Sequence, residues 1–307
     1  MPAKNTKKPV SVTAIQPKKH ILVRIIEHQI FGILLTFSGI SLTVVLFILI
    51  TNFRNLIYPL RNLEQDSPKQ FVEKVARQLP TTLPKPEIIE HGSRFKHQIA
   101  ITFDADMTQG MLLLLKKGVV KSWYNSQVVD LLRQNKIKAT FFLTGLWVKT
   151  YPQEAKQLAQ DPLFELGNHS YSHPAFTPNC FHLPVIDNTQ DSNEVEKAQK
   201  EIKAVTGVEV KYFRFPGGCY DKTDLETVSK LGLTVIHWDL ATGDAFNKST
   251  ESIVQRTLPR VQNGSILVFH LQGGTNAPKT AQALEQIIPQ LKKQGYEFVT
   301  ISELLSN

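Results

Sequence analysis

The sequence predicts an α/β fold, a barrel of about seven strand–helix units, preceded by one membrane-spanning helix. Three observations carry that reading. From Gln98 onward short apolar runs alternate with amphipathic segments, the signature of parallel strands joined by crossover helices. The units repeat at roughly 30 residues, which suits a closed barrel better than an open sheet. Upstream, Ile30 to Ile50 is a stretch of 21 residues without a charge, rich in Ile, Leu, Val and Phe. Such a run is long enough to cross a hydrocarbon layer of about 30 Å as a helix.

The N-terminal elements come first. Residues 1–29 hold Lys4, Lys7, Lys8, Lys18, Lys19 and Arg24 against Glu27 alone. Basic residues ahead of the apolar run place the N-terminus in the cytoplasm and everything after residue 51 outside, as a single-pass protein of the plasma (inner) membrane. No small-x-small pattern follows the run, so it reads as an uncleaved anchor. Residues 51–97 read as a stalk. Ser67-Pro68-Lys69-Gln70 is a helix-start signature, and Pro80, Pro84 and Pro86 favour extended chain after it.

Residues 98–307 are the expected catalytic domain. Its strands are placed at 99–103, 139–144, 164–167, 212–215, 234–240, 266–271 and 298–301. Helical patterns lie between them, among them 126–134, 193–205, 225–231, 253–261 and 280–293. In such folds the loops at the carboxyl ends of the strands carry the chemistry. Asp104, Asp106, His169, His173, Arg214, Asp239, Asp244 and His270 all fall at those ends in this assignment. Residues 107–125 form a long link to the next helix and read as a lid or as an ordinary insertion.

Composition bounds the function. The net charge of +8 over 307 residues suggests nucleic acid, but the first 29 residues hold five of those charges, so no basic binding face is implied and no nucleic-acid partner is expected. Two cysteines are too few for a four-cysteine zinc module. The chemistry points elsewhere. His169 and His173, four apart, can share one metal ion on a single turn or loop, or be two surface histidines. Residues 104 and 106 point to one face of an extended strand, so a carboxylate from this pair completes a three-ligand site, and the other stands beside its water as a base. Arg214, closing an apolar strand, can hold such a base ionised or form a structural ion pair. His270, ending another, becomes a proton donor if a carboxylate such as Asp244 supports it.

Taken together these segments resemble the polysaccharide deacetylases with a NodB homology domain, carbohydrate esterase family 4. Five motifs occur in the family's order between about residues 98 and 304. Thr102-Phe103-Asp104-Ala105-Asp106 is similar to Thr-Phe-Asp-Asp, and the resemblance makes Asp104 the catalytic base. His169-Ser170-Tyr171-Ser172-His173 matches the metal-binding motif in full. Arg214-Phe215-Pro216-Gly217 matches the motif whose arginine orients the base. Asp239 to Asp244 resembles the segment whose second aspartate tunes the catalytic histidine. Leu267-Val268-Phe269-His270 resembles the motif that supplies a leucine to the acetyl pocket and a histidine as general acid.

The resemblance implies a distorted, NodB-like (β/α)7 barrel and a divalent metal, zinc, held by His169, His173 and an aspartate. The implied substrate is an acetylated envelope polysaccharide, peptidoglycan or an exopolysaccharide, losing N-acetyl groups. An O-acetyl esterase and a catalytically impaired glycan-binding domain are the alternatives. Three positions depart from the family pattern. Ala105 stands where the metal aspartate is expected, so either a small bulge brings Asp106 to the metal or Asp104 serves with the two histidines. Ala245 replaces a tryptophan, and Gly217 stands where Tyr or Arg is usual, leaving its N–H as oxyanion donor. Cys180 and Cys219 both fall on active-face loops, and export allows a disulfide between them.

Overall fold

The structure is a computed structural model that describes residues 87–306. The expected membrane span at 30–50, the basic tail and most of the stalk lie outside those residues. Among the described residues no helix is long and apolar enough to cross a membrane.

In chain order the elements are β1 (Ile88–Ile89), β2 (Gln98–Ala105), α1 (Gln109–Lys116), α2 (Ser126–Gln134), β3 (Ala139–Leu143), α3 (Gly145–Thr150), α4 (Pro152–Gln160) and β4 (Phe164–Asn168). They continue with α5 (Asp191–Thr206), β5 (Tyr212–Phe213), α6 (Lys222–Lys230), β6 (Thr234–Ile236), β7 (Leu240–Ala241), α7 (Thr250–Thr257), β8 (Ile266–His270), α8 (Thr280–Lys293), β9 (Glu297–Phe298) and α9 (Ile301–Leu305). The strands are all parallel, in the order β1-β6-β5-β4-β3-β2-β8-β7, with β9 added to the start of β2. The single strand expected at 234–240 is two pieces. β6 pairs with β5, β7 pairs with β8, and only His237-Trp238-Asp239 separates them. One short segment thus passes from the second strand at one end of the order to the last strand at the other and curls the sheet toward a barrel.

Strand alternation builds two apolar layers. Ile101, Phe103 and Ala105 of β2, Phe141 of β3 and Leu267 and Phe269 of β8 pack in one core with buried side chains of α2 and α8. The intervening residues Ala100, Phe142, Ile236 and Ile266 meet in a second cluster that Ile301 and Leu304 of α9 close. The helices follow their apolar periodicity. In α8, Ala281, Leu284, Ile287, Ile288 and Leu291 are buried on one face. The last predicted strand is cut short for a local reason. Thr300 and Glu303 form a capping box, so the chain turns into α9 where extended structure was expected to reach 301.

Three further expectations are corrected here. The folded domain begins before residue 98, because β1 pairs with β6, His91 bridges to Ser265 and Arg94 donates to Asp239 at 2.7 Å. Asp239 is accordingly a structural anchor at the start of β7 and β8, accepting also the Ile266 N–H at 2.8 Å and the Ser265 hydroxyl at 2.9 Å. Leu267 does not line an acetyl pocket. It alternates with His270 along β8 and points to the helix-side core, while Val268, two residues before the histidine, faces the cleft. Leu267→Ala should therefore lower unfolding free energy by about 2–5 kcal/mol in urea titrations, the cost of a core cavity.

Candidate active site

The site lies at the carboxyl ends of β2, β4, β5, β7 and β8. β2 is paired one to one with β3 through Ala105. Simple alternation, without a bulge, sends Ala105 to the core and puts Asp104 and Asp106 on the inner face.

The loop after β4 presents the two histidines by local hydrogen bonding. The Asn168 side chain accepts the Ser170 N–H at 2.9 Å, and the Ser170 hydroxyl oxygen accepts the His173 N–H at 3.1 Å. Glu194, in the first turn of α5, accepts the Tyr171 and Ser172 N–H groups at 3.0 and 2.8 Å and the Ser172 hydroxyl at 3.0 Å. Ser170 and His173 sit at φ 65° and 60°, the left-handed region, so the segment is a tight loop and not a helical turn. Asn168 and Glu194 escape a reading of the sequence. Glu194 acts from 21 residues beyond His173, with no spacing rule to announce it.

The product of this construction is a three-residue cluster. One ligand atom each from Asp106, His169 and His173 lie within 4.8 Å of one another. Asp106 Oδ1 is 3.4 Å from His169 Nε2 and 3.3 Å from His173 Nε2. His169 Nδ1 lies 2.8 Å from the Arg214 carbonyl, which can only accept. The proton is therefore on Nδ1, and the Nε2 lone pair faces the cluster. Asp106 Oδ1 and His169 Nε2 are buried without a hydrogen-bond partner. Orphaned buried acceptors are costly. Two imidazoles, one carboxylate and an open side are a donor set that fits a divalent metal ion. Burial pushes the Asp106 carboxyl up, but His173 and His169 outweigh it and hold it well below the usual range. His169 is depressed by burial and raised on balance by Asp104 and Asp106.

Beside the cluster stands a buried ion pair. The Arg214 guanidinium donates to Asp104 at 2.7 Å and to the Thr102 hydroxyl at 2.8 Å. It also donates to the Ile236 and His237 carbonyls and lies 4.0 Å over the Phe142 ring. The other Asp104 oxygen is 3.7 Å from His169 Nε2. Across the cleft, His270 Nδ1 donates to Asp244 at 2.8 Å, and the same carboxylate accepts the His270 N–H and the Thr280 hydroxyl. Burial alone would lower the His270 pKa, but Asp244, with Asp106 and Asp104 behind it, raises it from 6.5 to about 10.

These groups share a cleft of about 550 Å³ whose walls include Met111, Phe181, Gly217, Trp238, Val268 and Phe246. The stretch at 107–125 contains α1, which supplies Met111 to one wall. Gly217 lies at φ 65°, and a Cβ there would sit 2.6 Å from Cys180 Sγ, so this position is closed to a side chain. Cys180 and Cys219 are joined by a disulfide.

Residues 91–236 match the polysaccharide deacetylase family. Over 184 residues the chain is 35% identical to a peptidoglycan-N-acetylglucosamine deacetylase of Bacillus cereus, covering 59% of this chain and 82% of that one. The chain belongs to the polysaccharide deacetylase family. Another family relative, protein YlxY of Bacillus subtilis, is 31% identical over 183 residues, 59% of this chain and 53% of its own. The match thus spans only about half the length of YlxY. Among solved structures, the polysaccharide deacetylase fold recurs in BA3943 of Bacillus anthracis, a CE4 family pseudoenzyme (TM-score 0.59, 26% identity, 72% of this chain and 69% of that one).

The His270 proton has a measurable signature. Its folded pKa lies above the unfolded value, so its contribution to stability is complete below about pH 6.5 and is lost as pH rises toward 10. An NMR titration of the His270 imidazole should show it protonated through pH 8. Asp244→Asn should bring its midpoint down by at least one unit.

Proposed function

We propose that this domain hydrolyses N-acetyl groups on an N-acetylhexosamine polysaccharide of the cell envelope, peptidoglycan foremost. One observation carries the proposal. A three-ligand cluster with orphaned acceptors opens into the same cleft as an arginine-paired carboxylate and a carboxylate-paired histidine. The resemblance to a peptidoglycan deacetylase supports the substrate class. The Cys180–Cys219 disulfide supports an oxidising compartment outside the cytoplasm, in keeping with the apolar run expected to anchor the chain.

Asp106, His169 and His173 would hold the metal. Once bound there, zinc or a similar ion would polarise the acetamide carbonyl and make a nearby water more acidic. The chain's own groups perform the proton transfers. Asp104, fixed by Arg214 and Thr102, takes a proton from the attacking water. The Gly217 N–H stabilises negative charge developing on the carbonyl oxygen. His270 carries its proton on the cleft side at Nε2 because Nδ1–H is committed to Asp244, and it delivers that proton to the departing amine. Acetate and a free amino sugar leave.

A glycan-binding domain without turnover is the second reading, favoured by the likeness to a pseudoenzyme. Metal analysis and acetate release from N-acetylglucosamine oligomers separate the two. The purified protein should hold about one equivalent of zinc and lose activity to a chelator. Asp106→Ala and His169→Ala should lose the metal. Asp104→Asn and His270→Ala should keep it while turnover falls by about 10²–10⁴. Faster acetate release from acetylated xylan than from the amide substrates would instead identify an O-acetyl esterase.

A further inference from the structure

We propose that Phe181 and Phe246 are stacking platforms for the sugars on either side of the one being deacetylated, so that the cleft selects a glycan chain over a single sugar. The inference rests on the reading of the site given above. Phe181 belongs to the loop after β4 and Phe246 to the loop after β7, and both line the cleft. They are 78% and 71% exposed, so within the cleft their ring faces are open to a ligand. Both also hold left-handed backbone, at φ 48° and 56°. That conformation is costly for a bulky residue and persists where surrounding structure enforces it.

The enforcement is visible at both positions. Phe181 follows Cys180, which the disulfide fastens to Cys219. Its ring edge lies close over Gly217, where a Cβ would come within 3.2 Å of it. Phe246 donates its N–H to the Asn276 carbonyl and follows Asp244 by two residues, so it shares the loop that orients His270. In the same cleft, the half-buried Trp238 stacks on His237 with ring centroids 4.1 Å apart and covers Gly218. These three rings come from the loops beyond β4, β6 and β7 and line one cleft. Asp104, Asp106, His173, Asp244 and His270 supply the ionisable groups of this cleft, and the three rings are apolar wall. Sugar rings present apolar C–H faces between hydroxyl edges, and aromatic faces bind such surfaces. The Phe246 ring also stands one residue beyond Ala245, on the wall that the alanine leaves bare. A single sugar reaches the floor without spanning both platforms.

Two measurements on the full chain test this. The first is acetate release by zinc-loaded protein from N-acetylglucosamine as a single sugar and as a five-sugar chain. The second is binding of the same two ligands to metal-free protein, followed by tryptophan fluorescence. Phe181→Ala and Phe246→Ala should each raise KM and Kd for the five-sugar chain about tenfold, with kcat held within twofold. The single sugar should be unaffected, and Phe246→Trp should bind the chain as the parent does. Phe95→Ala, removing a ring 99% exposed on the 91–97 segment, is the control. Unchanged KM and Kd for the chain, or equal losses for chain and single sugar, overturn the proposal. If the parent releases no acetate but both variants lose chain binding, the platforms stand and the deacetylase reading falls. If acetate is released with KM unchanged, the reverse holds.

Discussion

The site depends on a single buried charge being satisfied. Arg214 is wholly buried, and its guanidinium reaches Asp104 and Thr102 on β2 and the carbonyls of Ile236 and His237 at the end of β6. A buried ion pair of this kind contributes little net stability, but removing one partner strands the other at a cost of about 3–5 kcal/mol. The pair therefore acts chiefly as a constraint. It fixes the carboxylate that faces the ligand cluster. Because the Arg214 carbonyl also accepts from His169 Nδ1, the same residue sets the tautomer of a histidine in the candidate metal cluster.

Strand alternation distributes everything else. Along β2 the residues at 101, 103 and 105 fill the helix-side core while those at 102, 104 and 106 build the polar floor. Ala105 is thus a core residue by position, and the departure from the family's paired aspartates leaves the Asp106, His169 and His173 cluster intact. The same parity on β8 gives His270 and Val268 to the cleft and Leu267 to the core.

Much of this was legible in the sequence because it is local. The parity of residues 104 and 106, the paired histidines and the apolar strands ending in Arg214 and His270 each follow from a short stretch. What stayed hidden depends on distant partners. Asp239 reads as an active-face residue until Arg94 and Ser265 are seen around it. Leu267 was misplaced because a motif names residues, whereas the pleat decides which way they face. Glu194 and Thr280 brace the site from helices whose nearness to it no spacing records. Residues 88–94 join the fold through pairings with segments about 145–175 residues away, so a proline-rich neighbourhood disguised them as linker.

The position of β2 has a bearing on how the chain folds. This strand carries Asp104 and leads into Asp106, yet it acquires its two neighbours at very different times: β3 begins 34 residues after Ala105, while β8 begins only at residue 266. During synthesis the nascent chain therefore holds a long, apolar, unpaired strand edge for most of its length. Such topology folds slowly and invites intermolecular pairing. A fragment that ends between residues 174 and 265 retains His169 and His173 and still leaves that edge open to aggregation.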